Sequence, residues 1–398
     1  MNFQDEYKAK LRTIDEILKE IKSGSVITTA VVPQTPKVFM NNLHRVGDDV
    51  HNIEIYTILN TGYVEFESQK EYEGRFLNNS WFYGTPERAA VEKGLKTVTY
   101  VPNNAHGAIA DLVQSGKKLT YFVGAATPMD EHGFFSLSCS AFIEKDLIDV
   151  CENVILEINP NMPRTFGDTE VHISKVSRVI EVDYPMPEET LIQPTEIEER
   201  IGAYVAEMIE DGSTIQMGIG GVPYAVSKFL VGKKDLGVHT EMFTEGMLEL
   251  YEKGVITNRR KTIYPGKFVA AFAFGTQKLY RFVKENPSVM IMRGSFTNDP
   301  EIISQNYKMI SINTALMIDL TGQVVSEAIG TRHYSGTGGQ LDTHRGAARS
   351  GRKGLGGKGI ITLRSTAKGI SKIVPVLPLG SPVTVPRQDL DYVVTEYG

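Results

Sequence analysis

At 398 residues the chain is too long for one ordinary compact core, so two domains are the expectation. Its 41% hydrophobic and 23% charged residues argue against disorder, and its net charge of -6 argues against a broad nucleic-acid surface. No run of about 18 apolar residues is present to span a membrane.

In chain order, residues 1–22 mix acids and bases around Leu11, Ile14, Ile17, Leu18 and Ile21, the pattern of one amphipathic helix rather than a signal peptide. A β-branched run from Ser25, closed by Pro33 and Pro36, reads as a buried strand ending in a loop. Short apolar strands recur at 53–59, 97–101, 119–123 and 154–158, with helical patterns at 86–93 and 105–114 between them. Strands alternating with helices predict α/β domains with mainly parallel sheets. The stretch 182–194 carries Pro185, Pro187 and Pro194 and is the linker candidate, which sets the domains at 1–185 and 195–398.

Thr195, followed by Glu196, Glu198 and Glu199, opens a helix that ends near Asp211-Gly212, and a strand follows at 214–217. Both halves therefore begin helix, Gly-Ser, strand, loop, with Gly24-Ser25 and Gly212-Ser213 in equivalent places, a hint of duplication. Next, 236–239 reads as a short strand, Thr240 as an N-cap and 241–251 as a helix. That puts Glu241 in a first turn and leaves Glu245 as an exposed helix acid. Further strands are expected at 289–292, 315–319 and 360–363.

Three segments carry chemistry. In Gln216-Met-Gly-Ile-Gly-Gly-Val-Pro223, between a strand and a helix expected at 224–230, Gly218, Gly220 and Gly221 let backbone N–H groups approach an anion or a developing oxyanion. A dinucleotide fingerprint is a rival reading, but Pro223 stands where its third glycine belongs; a plain tight turn is another. Glu241, at a strand's carboxyl end, lies where ligands bind in open α/β sheets, against the plainer duty of complementing a helix dipole. The glycine loop 334–342 leads into a basic segment at 344–359, where Arg345, Arg349, Arg352, Lys353 and Lys358 suit a polyphosphate, or form a solvated basic loop. The eight histidines have no metal spacing; His172 reads as a sheet residue and Trp81 as core. Cys139 and Cys151 read as buried small hydrophobes of a reducing, cytoplasmic setting.

Together these motifs resemble the class I coenzyme A transferases of the acetyl-CoA hydrolase/transferase family, which includes 4-hydroxybutyrate and butyryl-CoA:acetate CoA-transferases. The resemblance runs through nearly the whole chain and adds the stretches 130–138, 159–168, 311–313 and 319–323. It implies two NagB/RpiA-like α/β domains with coenzyme A bound at their interface. Glu241 matches the catalytic glutamate, and Gln216 with Gly218, Ile219, Gly220, Gly221 and Val222 matches the acyl and oxyanion site. Asn313, Gly338, Gly339 and Lys358 match positions that line bound CoA. The resemblance further implies acyl-CoA and a carboxylic acid as substrates, no tightly bound cofactor, no metal, and a homodimer or larger homo-oligomer. Val31 departs from it, standing where the 4-hydroxybutyrate and butyryl enzymes carry a histidine, and the family pattern continues past Gly398 into a further helical segment. Val31, Gln34 and Thr61 are the expected acyl-pocket residues, small enough for a short acyl chain.

The implied chemistry is ping-pong transfer through a glutamyl–CoA thioester, with the glutamate near its reference pKa of about 4.3 and ionised without a base. An acyl-CoA hydrolase using the same glutamate is the nearest rival. A non-catalytic acyl-CoA-binding protein and an oxidoreductase are further away.

Overall fold

Short β-branched runs separated by helices fold as parallel sheets in the computed structural model, which describes residues 2–60, 62–190 and 192–398. The chain divides into two units. Unit 1 takes 1–103, 107–187 and 283–286; unit 2 takes 104–106, 188–282 and 287–398.

Unit 1 is built on β1 (Val26–Thr29), β2 (Ile53–Ile58), β3 (Phe76–Phe82), β4 (Val98–Tyr100), β5 (Tyr121–Ala126), β6 (Asn153–Ile158) and β7 (Arg178–Glu181), in the order β7-β6-β5-β1-β2-β3-β4. Every neighbouring pair is parallel. Ile27, Ile55, Val123 and Ile155 bury one face against Ile17, Ile21, Phe39 and Phe66. The expected single N-terminal helix is two, Phe3–Lys10 and α1 (Ile14–Glu20). Leu11 turns extended after the first, and Thr13 starts the second with a reciprocal capping box to Glu16. β3 escaped the apolar pattern because Asn78, Asn79 and Ser80 occupy its buried positions.

In unit 2, α2 (Glu196–Glu207) opens on the expected Thr195, whose capping box is closed by Glu198. Then come β8 (Thr214–Met217), α3 (Gly221–Phe229), β9 (Gly237–Phe243), α4 (Glu245–Glu252), β10 (Phe268–Ala273), β11 (Val289–Ile291), α5 (Gly294–Thr297), α6 (Pro300–Ile303), β12 (Met309–Thr314), α7 (Gln340–Arg352), β13 (Lys358–Thr362) and β14 (Tyr392–Val394). These seven strands run parallel in the order β14-β13-β12-β8-β9-β10-β11.

Numbered from each unit's first strand, both orders are 7-6-5-1-2-3-4, so the hint of duplication is realised as repeated topology. Gly24 and Gly212, each just before a first strand, turn the chain with φ of 76° and 75°.

Candidate active site

β9 positions the candidate carboxylate. It pairs with β8 only at Gly237 and Val238, but with β10 from His239 to Phe243. That longer pairing, and the packing of Phe243 on Phe268 at 4.9 Å between ring centroids, carries the strand through Glu241. The expected helix start at Thr240 is therefore corrected: Thr240 and Glu241 are strand residues, and α4 begins only after an extended Thr244. Glu245, expected exposed, is 5% exposed and accepts from the Thr276 backbone N–H and hydroxyl.

Carrying the β8–β12 register on by one residue sets Gly218 beside Asn313, and carrying the β8–β9 register on by three, past its last pair, brings Glu241 into the same row. Strand order reverses between β12 and β8, the edge at which open α/β sheets hold ligands. Gly218, in the middle of the row, has no side chain and leaves a slot. Beneath it runs a buried polar chain. The Ser311 hydroxyl donates to Gln216 Oε1 at 2.8 Å, and Asn313 Nδ2 donates to Ser311 Oγ at 3.0 Å and to Thr343 Oγ1 at 3.1 Å. These bonds fix Gln216 and Asn313 as a rigid floor.

The loop above that floor turns at Gly220, whose φ of 111° suits only glycine, into the first turn of α3. A Cβ on Gly221 would lie 2.5 Å from the Glu198 carboxyl, so glycine is required there for contact as well. The Gly218 N–H is already bonded to Ile312 O at 2.9 Å. Among the described residues no acceptor takes the amides of Gly220, Gly221 and Val222, which leaves them as the donors for an anion. Ile219 stands exposed at the turn, and Pro223 falls in the first turn of α3, where a missing N–H costs nothing.

Asn298 Nδ2 donates to Glu241 Oε2 at 2.6 Å, and the Gly339 backbone N–H is bonded to the same carboxyl. A Cβ on Gly339 would fall 2.0 Å from Glu241 Oε2 and 2.1 Å from Asn298 Nδ2, so only glycine closes this cradle. Gly338, at φ 52°, makes the turn into it. Burial first, and the Asp342 charge second, raise the Glu241 carboxyl to about 7 against the pull of those two hydrogen bonds. The expectation of a carboxylate near 4.3 is thus corrected: the surroundings of this acid hold it well above that value.

The basic segment is helical as far as Arg352 rather than a glycine loop throughout, and its cations have protein partners. Arg345 pairs with Asp389 at 2.7 Å, Arg349 with Glu301, and Lys353 donates to Ser304 Oγ at 2.6 Å. Lys358 starts β13 at the amino end of the sheet, opposite Glu241, with its Nζ on Met208 O at 2.8 Å. The structure thus gathers Gln216, Gly218–Val222, Glu241, Asn313, Gly338 and Gly339 at one edge and sets Lys358 apart.

In unit 1, Val31 and Gln34 are fully buried and line neither a cavity of about 820 Å³ nor one of about 640 Å³, the latter walled by Pro33, Thr35, Asn60 and Tyr184 among others. The third acyl-pocket candidate, Thr61, lies outside the described residues. Both cysteines are free, with burial pushing Cys139 up to about 12 and Cys151 to about 11. Among the described residues no three His, Cys, Asp or Glu groups could hold a metal, and no helix is long and apolar enough to cross a membrane.

The Acetyl-CoA hydrolase/transferase N-terminal domain matches residues 1–191, and the C-terminal domain of that family matches 275–398. The succinyl-CoA:cyclohexane-1-carboxylate CoA transferase of Geobacter metallireducens is 39% identical over all of this chain and 89% of its own length. The 4-hydroxybutyrate coenzyme A transferase of Clostridium kluyveri is 38% identical over all of this chain and 92% of its own. Among solved structures, RipA from Yersinia pestis superposes with a TM-score of 0.91 at 33% identity, covering all of this chain and 91% of that one.

Proposed function

The chain belongs to the acetyl-CoA hydrolase/transferase family and is an acyl-CoA:carboxylate CoA-transferase, and from that premise we propose that Glu241 is the covalent carrier of coenzyme A. The observation that carries the proposal is the cradle. A carboxylate at the sheet's ligand edge is held by Asn298 and Gly339, in one row with a glycine slot and a turn of uncommitted amides.

The ionised Glu241 oxygen attacks the acyl-CoA carbonyl carbon, and the resulting oxyanion is met by the Gly220–Val222 amides. One such donor is worth roughly 3–4 kcal/mol at the transition state. The C–S bond breaks, leaving an acyl–glutamyl anhydride and CoA thiolate. The thiolate attacks the glutamyl carbonyl, the first acid leaves as its carboxylate, and a glutamyl–CoA thioester remains. The acceptor carboxylate runs both steps backwards, so no proton is gained or lost.

Partial burial helps here: an anion that is poorly solvated is a stronger nucleophile, and esterification removes its charge. Gln216 and Asn313 hold the floor of this site, and Gly338 and Gly339 its wall.

We assign short-chain acyl groups as substrates, in line with the 4-hydroxybutyrate named for one relative and the butyryl group for another. We also assign a cytoplasmic homo-oligomer, domains at 1–185 and 195–398, and no tightly bound cofactor. The relatives named acetyl-CoA hydrolases are more distant, such as that of Candida albicans at 23% identity over 79% of this chain. Transfer is therefore the favoured fate of the thioester, and acyl-CoA consumption should depend on an added carboxylate.

Glu241→Gln tests the carrier. Transfer should fall by more than about 10³-fold. Wild type incubated with acyl-CoA and borohydride should show a mass change on the peptide containing residue 241, and the variant none. Normal turnover by the variant removes Glu241 from the mechanism.

A further inference from the structure

Three residues of the chain's first half, Asn104–His106, belong to unit 2. They lie at the amino end of α7. The Ala105 N–H donates to Gly338 O at 3.1 Å, and the His106 N–H donates to Asp342 Oδ2 at 3.1 Å. The His106 ring Nδ1 lies 2.8 Å from Asp342 Oδ1. One residue therefore takes both oxygens of an acid that is 0% exposed and stands three positions after Gly339, in the first turn of the helix that closes the Glu241 cradle.

An unneutralised carboxylate placed there opposes the charge that Glu241 must carry to attack. We propose that His106 is a positioning residue for the transfer reaction: as an imidazolium it clamps and neutralises Asp342, and so keeps Glu241 available as an anion near neutral pH.

The inference rests on Glu241 being the nucleophile. The charged groups facing the ring are Asp342, Asp299 and Arg345. Arg345 is already paired with Asp389, and one Asp299 oxygen caps α6 through the Glu301 N–H. The balance favours the ring's proton, and its hydrogen bond to Asp342 is the leading cause that raises it above the usual histidine value. Among the described residues Asp342 is the charged group that acts on Glu241. Removing the ring's charge leaves Asp342 to push Glu241 ionisation to higher pH.

The experiment is kcat/KM for acyl-CoA between about pH 5.5 and 9.5 for wild type, His106→Asn, Asp342→Asn and the double variant, with melting temperatures alongside. The asparagine amide donates from nearly the position of Nδ1 but carries no charge; His106→Gln is a second uncharged variant. In His106→Asn the acidic limb should rise by about one pH unit. At pH 6 kcat/KM then falls about tenfold, while at pH 9 it stays within about twofold of wild type.

Asp342→Asn should move the limb down, and adding His106→Asn to it should move it no further. An unmoved limb, or an equal loss at every pH as a merely structural role would give, overturns the proposal. Glu241→Gln assayed in parallel separates the two readings. If it turns over normally the nucleophile assignment fails; if it is dead while the His106→Asn limb is unmoved, only the role of His106 fails.

Discussion

Glu241 is shaped by what surrounds its two oxygens. Asn298 and the Gly339 amide stabilise the anion, while burial and Asp342 oppose it, and opposition wins by enough to reach about 7. Gly339 is the residue with least room to change. Gly339→Ala would drive a methyl into both Glu241 and Asn298, each closer than any real Cβ contact. Displacing the nucleophile by about 1 Å is enough to cost on the order of 10²-fold in rate. The expected result is a kcat loss of that size, with a circular-dichroism spectrum like wild type; unchanged kcat would mean the cradle does not hold the reacting conformation. Glu241 was singled out by its match to the family's catalytic glutamate; local spacing placed it in a helix's first turn, whereas it lies within β9. Asn298, Asp342 and His106 were not singled out, because their spacing follows no local period: His106 and Asp342 are 236 positions apart. No helical or strand repeat reports a contact made by folding alone.

At the scale of elements, the strands and the α2 cap were readable from β-branched runs and from Thr195 with its following acids. Two elements were not, for opposite reasons. β9 runs past its helix-like Thr-Glu signal because β10 offers a paired edge along residues 239–243, and tertiary pairing outweighs a local cap. α7 forms where Gly346 and Gly351 signal a loop, each costing about 1 kcal/mol of helix propensity. Both are needed for contact: a Cβ at Gly346 would strike Ile303 at 2.5 Å, and one at Gly351 would strike Gly357 O at 2.4 Å. The helix is packed and Arg345, Arg349 and Lys353 have protein partners, which disfavours a phosphate cradle there. Arg349→Ala should leave the KM for acyl-CoA within about twofold and cost no more than about 1 kcal/mol of stability, the worth of an exposed ion pair. A tenfold, salt-dependent rise in KM would restore the polyphosphate reading.

Across the whole molecule the two sheets share one strand order, and each unit buries acids that ionise late. Glu87, Glu144 and Glu157 in unit 1 are pushed up to about 7 by burial, and Glu67 well above its usual value by burial and the Glu87 charge; Glu241 does the same in unit 2. For Glu87, Glu144, Glu157 and Glu241 the folded state holds its proton through the window from about 4.5 to 7 while the unfolded chain has lost it, so stability falls as pH rises across that window; Glu67 acts with the same sign. Opposing contributions are fewer. His239 and His344, lowered by burial to about 3 and about 4, make stability rise only up to about 6.5, and Lys261, lowered to about 7, does so only above 7. Acids held low, such as Asp319 at about 2, matter only below their usual value.

Thermal stability should therefore peak on the acidic side of neutrality and decline towards pH 8. Glu241→Gln isolates one contribution, since it keeps the shape and removes the charge. The variant should match wild type near pH 5 and exceed it by on the order of 1–3 kcal/mol at pH 8, read by denaturant titration at both values. An equal difference at both pH values would mean that the ionised carboxylate is not disfavoured in the fold, and with it would go the argument that a destabilised anion is what makes this glutamate a nucleophile.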